Sequence, residues 1–412
     1  MFFKKEGKKL KIVGIISEYN PFHNGHIYHI HKTKEALGAD AVVALMSGNF
    51  VQRGLPSAFT KYERAKIACE YGCDLVLELP VFSSIAPADI FAKNAVNILN
   101  KLNVIDCLSF GSEDGIETLR KAHETMKANE KQFDELIKKH LTSGLSFSRA
   151  YALSFNELTK MDIMSKSNNI LAYKYISALD ETKSAMKPFA VQRHGPHYND
   201  ECDDGGMASA SHIRSLIYKG EDVSDLVPAL PHEKILDLEK YFSSIKSIFI
   251  REKNFKMYFE YDEDAVNYIK KYIYEAKSYN EFMDMVSRKN FSRSKINRFL
   301  LAMLLNIYKD SVSRDNEYDF IIPLCANEKG KKVLKEIKKR SEVNIISKYK
   351  DLDNLSKESK LDFEMLINND QIYYLMKDMD VKDAYKINLQ SIEKKLLRNS
   401  KLYDIIKMLE IK

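Results

Sequence analysis

Cysteine is scarce in this chain. Only five of the 412 residues are cysteines, and they stand at positions 69, 73, 107, 202 and 325. No two of them form a CxxC pair and their number is odd, so neither a disulfide framework nor a structural zinc site is expected. We expect reduced thiols that are mostly buried.

Long apolar stretches are missing as well. No uncharged run reaches the ~18 residues that a membrane-spanning helix needs, and the first residues lack the apolar segment of a signal peptide. A composition with 45% hydrophobic and 30% charged residues is typical of a soluble globular protein. We therefore expect a cytoplasmic protein without a membrane partner. No internal repeat is visible, so a solenoid is not favoured.

Four short apolar runs in the first part of the chain indicate buried parallel strands. They are continuous rather than alternating in polarity, and they cover residues 11–17, 41–46, 74–79 and 104–111. Stretches with helical spacing of apolar residues separate them. This pattern predicts an α/β protein with a doubly wound parallel sheet.

The rest of the chain is predicted to be mainly helical. Helical spacing dominates from about residue 114 to 182, which we interpret as an insertion before a further strand at 187–193 and a helix at 209–218. After Pro228 and Pro231 the segments are long, helical and rich in Lys, Arg and Tyr, with DFIIPL as a lone strand candidate. We expect a first domain over residues 1–225 and a mainly helical, basic region over 226–412.

Four of the ten histidines lie close together in EYNPFHNGHIYHIHK, residues 18–32. The HNGH part follows the first predicted strand and begins the first predicted helix, where open α/β sheets bind ligands and helix N–H groups attract phosphate. Gly25 lets a nucleotide approach the backbone closely. We predict that His23 and His26 donate imidazole N–H groups to a triphosphate and stabilise charge on the α-phosphate and the leaving pyrophosphate.

Two other interpretations of these histidines stay open. Histidines at i and i+3 of a helix can bind a metal, or they can lie on a polar surface. No HExxH arrangement is present and three protein ligands would have to be assembled from elsewhere, so we predict no metal held by the protein. His29 and His31 lie deeper in the helix and are predicted to be structural.

Several segments together resemble a known family. A strand followed by HxGH resembles the nucleotidyltransferase superfamily that includes the class I aminoacyl-tRNA synthetases. The longer segments resemble the bacterial tRNA(Met) cytidine acetate ligases and occur in that family's order; they are GIISEYNPFHNGHIYHI, MSGNFVQRGLPSAFTKYERAKIA, DLVLELP, FGSE, NNILAYKYI and VQRHGPHY.

This resemblance implies a fold and a function. The fold is the Rossmann-like HIGH nucleotidyltransferase fold, with the ATP-binding domain in residues 1–225 and tRNA binding in the C-terminal region. The enzyme would activate acetate with ATP as acetyl-adenylate and then acetylate N4 of the wobble cytidine in elongator tRNA(Met). Mg²⁺ is expected on the triphosphate, held mainly by phosphates and water, because no carboxylate cage is evident. No obligatory protein partner is evident.

The resemblance also implies which residues bind ATP. Gly111 ends the fourth predicted strand and leaves room for adenine or ribose, Asn168 can bind a base edge or ribose, and Arg193 can bind phosphate. Without the resemblance, a helix N-cap is an equally good interpretation of Asn168. Ser167 stands where the family has proline. The implied ATP-binding residues are Ile16, Ser17, Glu18, Tyr19, Asn20, Pro21, Phe22, His23, Asn24, Gly25, His26, Ile27, Tyr28, His29, Gly111, Asn168 and Arg193.

Two segments compete for the role of a second phosphate site. IMSKS (163–167) looks like the KMSKS loop of the synthetases, whereas SASHIR (209–214) resembles the ISSTxIR motif of small-molecule nucleotidyltransferases. We favour SASHIR, because it follows the last predicted strand and begins a helix, so that phosphate can be held by Ser209, Ser211 and Arg214. We interpret IMSKS as a solvated loop with a helix cap.

Basic residues cluster in the C-terminal region, although the net charge is only +6. The segment 287–299 has interleaved phenylalanines, five basic residues and no acidic residue, and this pattern predicts contact with tRNA. The five basic residues are Arg288, Lys289, Arg293, Lys295 and Arg298. The segment 329–340 is less decisive, and solvated helix faces remain an alternative for both. Further candidates for phosphate or RNA contact are Arg53, Lys61 and Arg64.

We predict the ATP-dependent ligase. Two other functions stay open: a small-molecule adenylyltransferase of the HIGH superfamily, with a C-terminal region that serves only solubility or oligomerisation, and a non-catalytic, nucleotide-sensing RNA-binding protein. The choice of carboxylate depends on the shape of the pocket.

Overall fold

The computed structural model describes residues 10–192, 208–287, 291–313, 316–347 and 349–379. The strands in this part of the chain are β1 Ile12–Ser17, β2 Ala41–Ser47, β3 Phe50–Val51, β4 Leu55–Pro56, β5 Leu75–Leu79, β6 Cys107–Ser112, β7 Lys187–Gln192, β8 Phe320–Ile321, β9 Pro323–Ala326 and β10 Asn344–Ile345.

The α-helices in the same ranges lie mostly after β6. They are α1 Asn24–Leu37, α2 Lys61–Glu70, α3 Val81–Ser84, α4 Ala88–Lys101, α5 Ile116–Ala128, α6 Glu130–Thr142, α7 Phe147–Thr159, α8 Ser167–Glu181, α9 Ala210–Lys219, α10 Leu238–Arg251, α11 Glu263–Tyr272, α12 Tyr279–Val286, α13 Arg293–Leu304, α14 Glu328–Arg340 and α15 Lys357–Met376. Short 3₁₀ segments cover Phe255–Met257, Lys309–Ser311 and Tyr349–Asn354.

The main sheet has six strands in the order β7-β6-β1-β2-β5-β9. The first five strands in this order are mutually parallel. The predicted doubly wound α/β fold is therefore confirmed, and each of its five predicted strands is present. The strands β1, β2, β5 and β6 were recognisable because central parallel strands are buried on both faces; all seven residues of β2, for example, are buried, whereas the edge strand β7 has a single buried residue.

The C-terminal region contributes an edge strand to this sheet. DFIIPL does not form one strand: residues 320–321 pair with β10, and β9 pairs antiparallel with β5. The helix α14 packs so closely against the start of β5 that a Cβ at Gly330 would lie 1.9 Å from the carbonyl oxygen of Asp74. The boundary near residue 225 stays a prediction, and strand pairing crosses it.

The helical segment between β6 and β7 contains α5 to α8, as predicted for residues 114–182. No helix among the described residues is long and apolar enough to cross a membrane. Of the described cysteines, Cys73 and Cys107 are buried, whereas Cys69 and Cys325 are partly exposed, and all four are free thiols. Cys202 lies outside the described residues.

Candidate active site

The strand order creates a crevice between β1 and β6. The chain continues from β1 to β2 on one side, whereas β6 pairs with the other side of β1. Ligands of open α/β sheets bind at such a switch point, beyond the carboxyl ends of the strands. A cavity of about 740 Å³ lies there, and it is lined by the end of β1, the start of α1, the β3–β4 hairpin, the end of β6 and the start of α8. Residues of α4, β7, α9, α10 and α13 complete its wall.

His23 and His26 form a reciprocal cap at the start of α1. Nδ1 of His23 accepts a hydrogen bond from the backbone N–H of Gly25 at 3.1 Å, and Nδ1 of His26 accepts one from the backbone N–H of His23 at 3.1 Å. The two rings are stacked, with centroids 3.7 Å apart and planes at 28°. His23 is buried, with 5% of its surface exposed, and both rings line the cavity.

This cap determines which nitrogen carries the proton. A neutral imidazole whose Nδ1 accepts a hydrogen bond carries its proton on Nε2. Both histidines therefore have an N–H donor at the edge of the ring away from the backbone, in the positive field of a helix N-terminus. This is the donor that the sequence predicts for a triphosphate.

Arg64 fixes the ends of β1 and β2, next to the loop that contains His23 and His26. Its guanidinium donates to the carbonyl oxygens of Glu18, Ser47 and Gly48, and its Nε donates to the carbonyl of Phe59 at 3.1 Å. Only 1% of the residue is exposed, and burial lowers the pKa of the guanidinium. The prediction that Arg64 contacts phosphate or RNA is therefore wrong, because its donors already bond to the backbone.

Asn168 belongs to a network that joins β6 to α8. Its side-chain amide donates to Oε1 of Glu113 at 2.7 Å, and Oε2 of Glu113 accepts the backbone N–H of Asn169 at 2.9 Å. Asn168 and Gly111 both line the cavity. The alternative interpretation of Asn168 as an N-cap is wrong, because the residue that caps α8 is Lys166.

SASHIR begins α9 as predicted. Ser209 is the N-cap, and its Oγ accepts the backbone N–H of His212 at 3.1 Å. Arg214 donates from Nη1 to the carbonyl oxygen of Asn20 at 2.6 Å, so this helix is connected to the histidine loop. Ser209 and Arg214 line the cavity, whereas Ser211 does not.

IMSKS is not a solvated loop. Ile163 and Met164 are buried in the core, and Lys166 and Ser167 line the cavity. Nζ of Lys166 lies 3.1 Å from Oδ1 of Asp114. The apolar half of the segment lies in the hydrophobic core, and it therefore holds the polar half at the cavity wall. Lys166 of IMSKS therefore lines the same cavity as SASHIR, although the sequence analysis placed the second phosphate site on SASHIR only.

Most residues of the implied ATP segment line the cavity, but four do not. Phe22 packs on the ring of Tyr19 in the core, and the side chain of Asn24 donates to the carbonyl of Asp225 at 2.8 Å. Pro21 and Ile27 are the other two. Arg193 lies outside the described residues. The segment residues that line the cavity are Ile16, Ser17, Glu18, Tyr19, Asn20, His23, Gly25, His26, Tyr28 and His29. His29 also has the structural contact predicted for it, since its Nε2 lies 2.9 Å from Oγ of Ser109.

Lys61 is buried and cannot contact RNA. Only 2% of the residue is exposed, and its Nζ lies between the carboxylates of Glu78, at 2.7 Å, and Asp370. Asp370 lies on α15, so that this ion pair connects the main sheet to the C-terminal region. The prediction of phosphate or RNA contact for Lys61 is wrong. Arg53 is exposed and lines the cavity, and its contact with phosphate or RNA stays a prediction.

The basic segment 287–299 contains no acidic residue, but its described basic side chains form ion pairs with acidic residues from other parts of the chain. Each of its described members pairs with a carboxylate, namely Arg293 with Asp284, Lys295 with Asp262 at 2.7 Å, and Arg298 with Glu260 at 2.6 Å. Arg288 and Lys289 lie outside the described residues. Ser294 and Arg298 line the cavity. The basic segment therefore extends to the cavity. Its positive charge is partly compensated by carboxylates, which the sequence of the segment did not indicate.

Several cavity residues were not predicted as site residues, although they lie in segments that the sequence analysis quotes. Gln52 lies in MSGNFVQRGLPSAFTKYERAKIA, Tyr175 lies in NNILAYKYI and Tyr218 ends the predicted helix 209–218, and all three line the cavity. Glu18 holds the β3–β4 hairpin, because its Oε1 accepts the backbone N–H of Gln52 at 2.9 Å. The Nε2 of Gln52 is buried and has no hydrogen-bond partner among the described residues. These residues come from separate elements, and only the fold brings them together.

The parallel sheet, the HNGH cap at its switch point and the cavity above it define a nucleotidyl transferase of the HIGH type. In agreement, the family model described as HIGH Nucleotidyl Transferase matches residues 10–387.

Two curated proteins with one name are similar over most of the chain. The tRNA(Met) cytidine acetate ligase of Clostridium perfringens is 38% identical over 404 residues, which cover 92% of this chain and 99% of that protein. The protein of the same name from a Thermoanaerobacter species is 37% identical over 356 residues, which cover 82% and 88%. This chain belongs to the family of tRNA(Met) cytidine acetate ligases.

Solved structures agree with this fold. Apo TmcAL of Thermotoga maritima matches with a TM-score of 0.83 at 27% identity and covers 92% of this chain and 98% of that chain. The same protein bound with alpha-thio ATP matches with a TM-score of 0.79 at 27% identity and covers 91% and 96%.

Proposed function

We propose that this protein activates acetate with ATP as acetyl-adenylate and transfers the acetyl group to N4 of the wobble cytidine of elongator tRNA(Met). The observation that carries this proposal is the stacked pair of His23 and His26, which has Nε2–H donors at the switch-point cavity of the sheet. The names of the similar ligases and the ATP analogue bound to the similar structure support it.

The first step of this reaction is nucleophilic substitution at phosphorus. A carboxylate oxygen of acetate bonds to the α-phosphorus of ATP, and the bond from that phosphorus to the pyrophosphate oxygen breaks. Negative charge grows on the α-phosphate and on pyrophosphate, where fixed N–H donors stabilise the transition state more than the ground state. His23, His26 and the N-terminus of α1 provide such donors, and Arg214 adds positive charge beside the loop.

The second step transfers the acetyl group. The exocyclic N4 of cytidine attacks the acetyl carbonyl, AMP leaves with the electron pair of the anhydride oxygen, and N4 loses a proton.

Among the described residues, no three His, Cys, Asp or Glu side chains cluster as a metal site. The Mg²⁺ that accompanies ATP would therefore be held mainly by phosphate oxygens and water. We also propose that the protein works in the cytoplasm, where ATP and tRNA are available.

Pyrophosphate exchange tests this function directly. With labelled pyrophosphate, the protein should form labelled ATP only when acetate is present, and labelled acetate should enter tRNA only when ATP is present. Exchange that requires a different acceptor would support the small-molecule adenylyltransferase instead. RNA binding without any exchange would support the nucleotide-sensing RNA-binding protein.

The basic segment of α13 and the residues before it is proposed to bind tRNA. Four changes to glutamine should weaken tRNA binding and flatten its salt dependence, because each lost phosphate contact removes about one released counterion. Arg298 is left unchanged because it lines the cavity. The residues to be changed are Arg288, Lys289, Arg293 and Lys295.

A matched variant separates this segment from basic charge in general. It carries four glutamines on α14, at Lys331, Lys332, Lys335 and Lys338. Binding is measured by filter retention between low and moderate salt, and acetate-dependent exchange is measured beside it. If the first variant acetylates limiting tRNA as fast as the parent at moderate salt, the segment is an ordinary solvated surface. An equal loss in both variants would indicate long-range attraction without a specific site.

A further inference from the structure

Two residues of the cavity wall remain exposed to solvent. Among the described residues that line the cavity, these are Arg53 and Tyr218. Tyr218 has 40% of its surface exposed. A side chain that both lines a cavity and faces solvent lies where the cavity opens. An aromatic ring at this point offers a large, rigid surface with a polar tip, which suits contact with a ligand group that enters the cavity.

The ring of Tyr218 is held at both ends. Its backbone belongs to α9, and its hydroxyl donates to the carbonyl oxygen of Leu236 at 3.1 Å. Desolvation of the side chain is the main cause that raises the pKa of Tyr218 to about 12, so that the hydroxyl stays a neutral donor at physiological pH. No ring–ring contact involves Tyr218 in the part of the chain that the structure describes. The ring is therefore a fixed surface on which another planar group can stack.

The position of the ring relates it to the phosphate site. Tyr218 follows Arg214 by four residues on α9, so the two side chains lie on the same face of the helix about one turn, or ~5.4 Å, apart. Arg214 bonds to the carbonyl of Asn20 in the histidine loop. A planar group on Tyr218 is thus next to the place where the adenylate would form.

We propose that Tyr218 is the stacking platform for the unpaired cytosine base that accepts the acetyl group. This inference rests on the proposed function and deepens it. Proteins that act on a base in a single-stranded loop take it out of its stack and hold it against aromatic side chains. The reacting N4 lies at the edge of the base, so stacking on Tyr218 leaves that edge available to the adenylate in the cavity. Arg53, the other exposed residue of the wall, adds positive charge suited to the flanking phosphates.

The absence of tryptophan from the chain allows a direct test. Tyr218→Trp makes a single indole fluorophore that keeps a stacking surface. Titration with an anticodon stem-loop that has cytidine at the wobble position should quench its fluorescence. The same stem-loop with an abasic wobble nucleotide should quench it far less, and ATP alone should not quench it. Equal quenching by the two stem-loops, or quenching by ATP alone, would overturn the proposal.

Kinetics give a second and independent readout. Tyr218→Ala should raise the KM for tRNA by about tenfold or more, whereas Tyr218→Phe and Tyr218→Trp should keep it near the parent value, because stacking on an aromatic ring is lost only in the first. The KM for ATP in acetate-dependent exchange should change by less than about twofold in all three. Tyr274→Ala removes another exposed tyrosine, 60% of whose surface is exposed, and serves as the matched control.

The outcomes separate this proposal from the proposed function. If the parent itself shows no acetate-dependent exchange, the ligase function is wrong. If the parent exchanges and acetylates tRNA but Tyr218→Ala has the parental KM for tRNA, only the stacking platform is wrong. A rise in the KM for ATP in place of the KM for tRNA would instead assign Tyr218 to the adenine of ATP.

Discussion

The variant His26→Asn is expected to slow acetate-dependent pyrophosphate exchange by about 10²-fold or more while its thermal midpoint stays near that of the parent. The asparagine side chain keeps an acceptor close to the position of Nδ1, so the backbone N–H of His23 remains satisfied. It lacks the Nε2–H donor that lies at the far edge of the imidazole. The variant therefore removes the donor and keeps the cap, which His26→Ala would not.

The matched control is His31→Ala, which changes an exposed histidine of the same helix. It should retain the parental exchange rate. The double variant with asparagine at both His23 and His26 should lose less activity than the product of the single losses, because stacked residues that bind one group act as a unit. Parental exchange by a folded His26→Asn protein would remove this histidine from the reaction.

The parts of the fold that sequence predicts best are those with local causes. The strands β1, β2, β5 and β6 are buried on both faces, so their sequences are continuous apolar runs whatever surrounds them. HNGH follows the first of these runs directly. To predict that HNGH lies at the turn between strand and helix, only the neighbouring strand β1 and helix α1 had to be predicted correctly. The cap that His23 and His26 form at the start of α1 confirms this position.

Residues that depend on distant partners could not be predicted in this way. Glu260 and Asp262, which pair with the basic residues of α13, are more than thirty positions away in sequence, so a segment without acids looked unpaired. The partner of Lys61 on α15 is 309 positions away. A basic residue beside a phosphate motif has no local sign that it will be buried, and the same applies to Arg64.

The buried group of Lys61, Glu78 and Asp370 places one ammonium between two carboxylates. Asn49 supports it, because its side-chain amide donates to Oδ1 of Asp370 at 2.8 Å and its Oδ1 accepts the backbone N–H of Lys61 at 2.8 Å. Desolvation is the main cause that raises the pKa of Glu78 to about 7, from an ordinary value of 4.5, against the opposing effect of Lys61. The group also holds α15 against the end of β5, behind the loop that Arg64 fixes.

Linkage gives the sign of the resulting pH dependence. Between pH 4.5 and about 7 the folded protein holds a proton on Glu78 that the unfolded chain has released. Because the folded state binds more protons in this window, the contribution of Glu78 to the free energy of unfolding decreases as the pH rises through it. Glu78→Gln keeps the shape of the side chain and cannot ionise. This variant should therefore show a flatter dependence of stability on pH than the parent over the same window.

Lys61→Met is expected to lower the free energy of unfolding by about 3–5 kcal/mol at pH 8, because it leaves two buried carboxylates without their cation. At pH 5 the loss should be smaller, since Glu78 then holds a proton in the folded protein and one negative charge fewer is left without its cation. Denaturant unfolding of the parent, Lys61→Met and Glu78→Gln at both pH values measures these differences. Lys32→Met breaks the exposed pair with Glu35 and should have no measurable effect. A loss for Lys61→Met that is below about 1 kcal/mol, or equal at the two pH values, would show that the lysine does not compensate these carboxylates. The connection between α15 and the main sheet would then depend on apolar packing and on hydrogen bonds such as the one from Asn49 to Asp370.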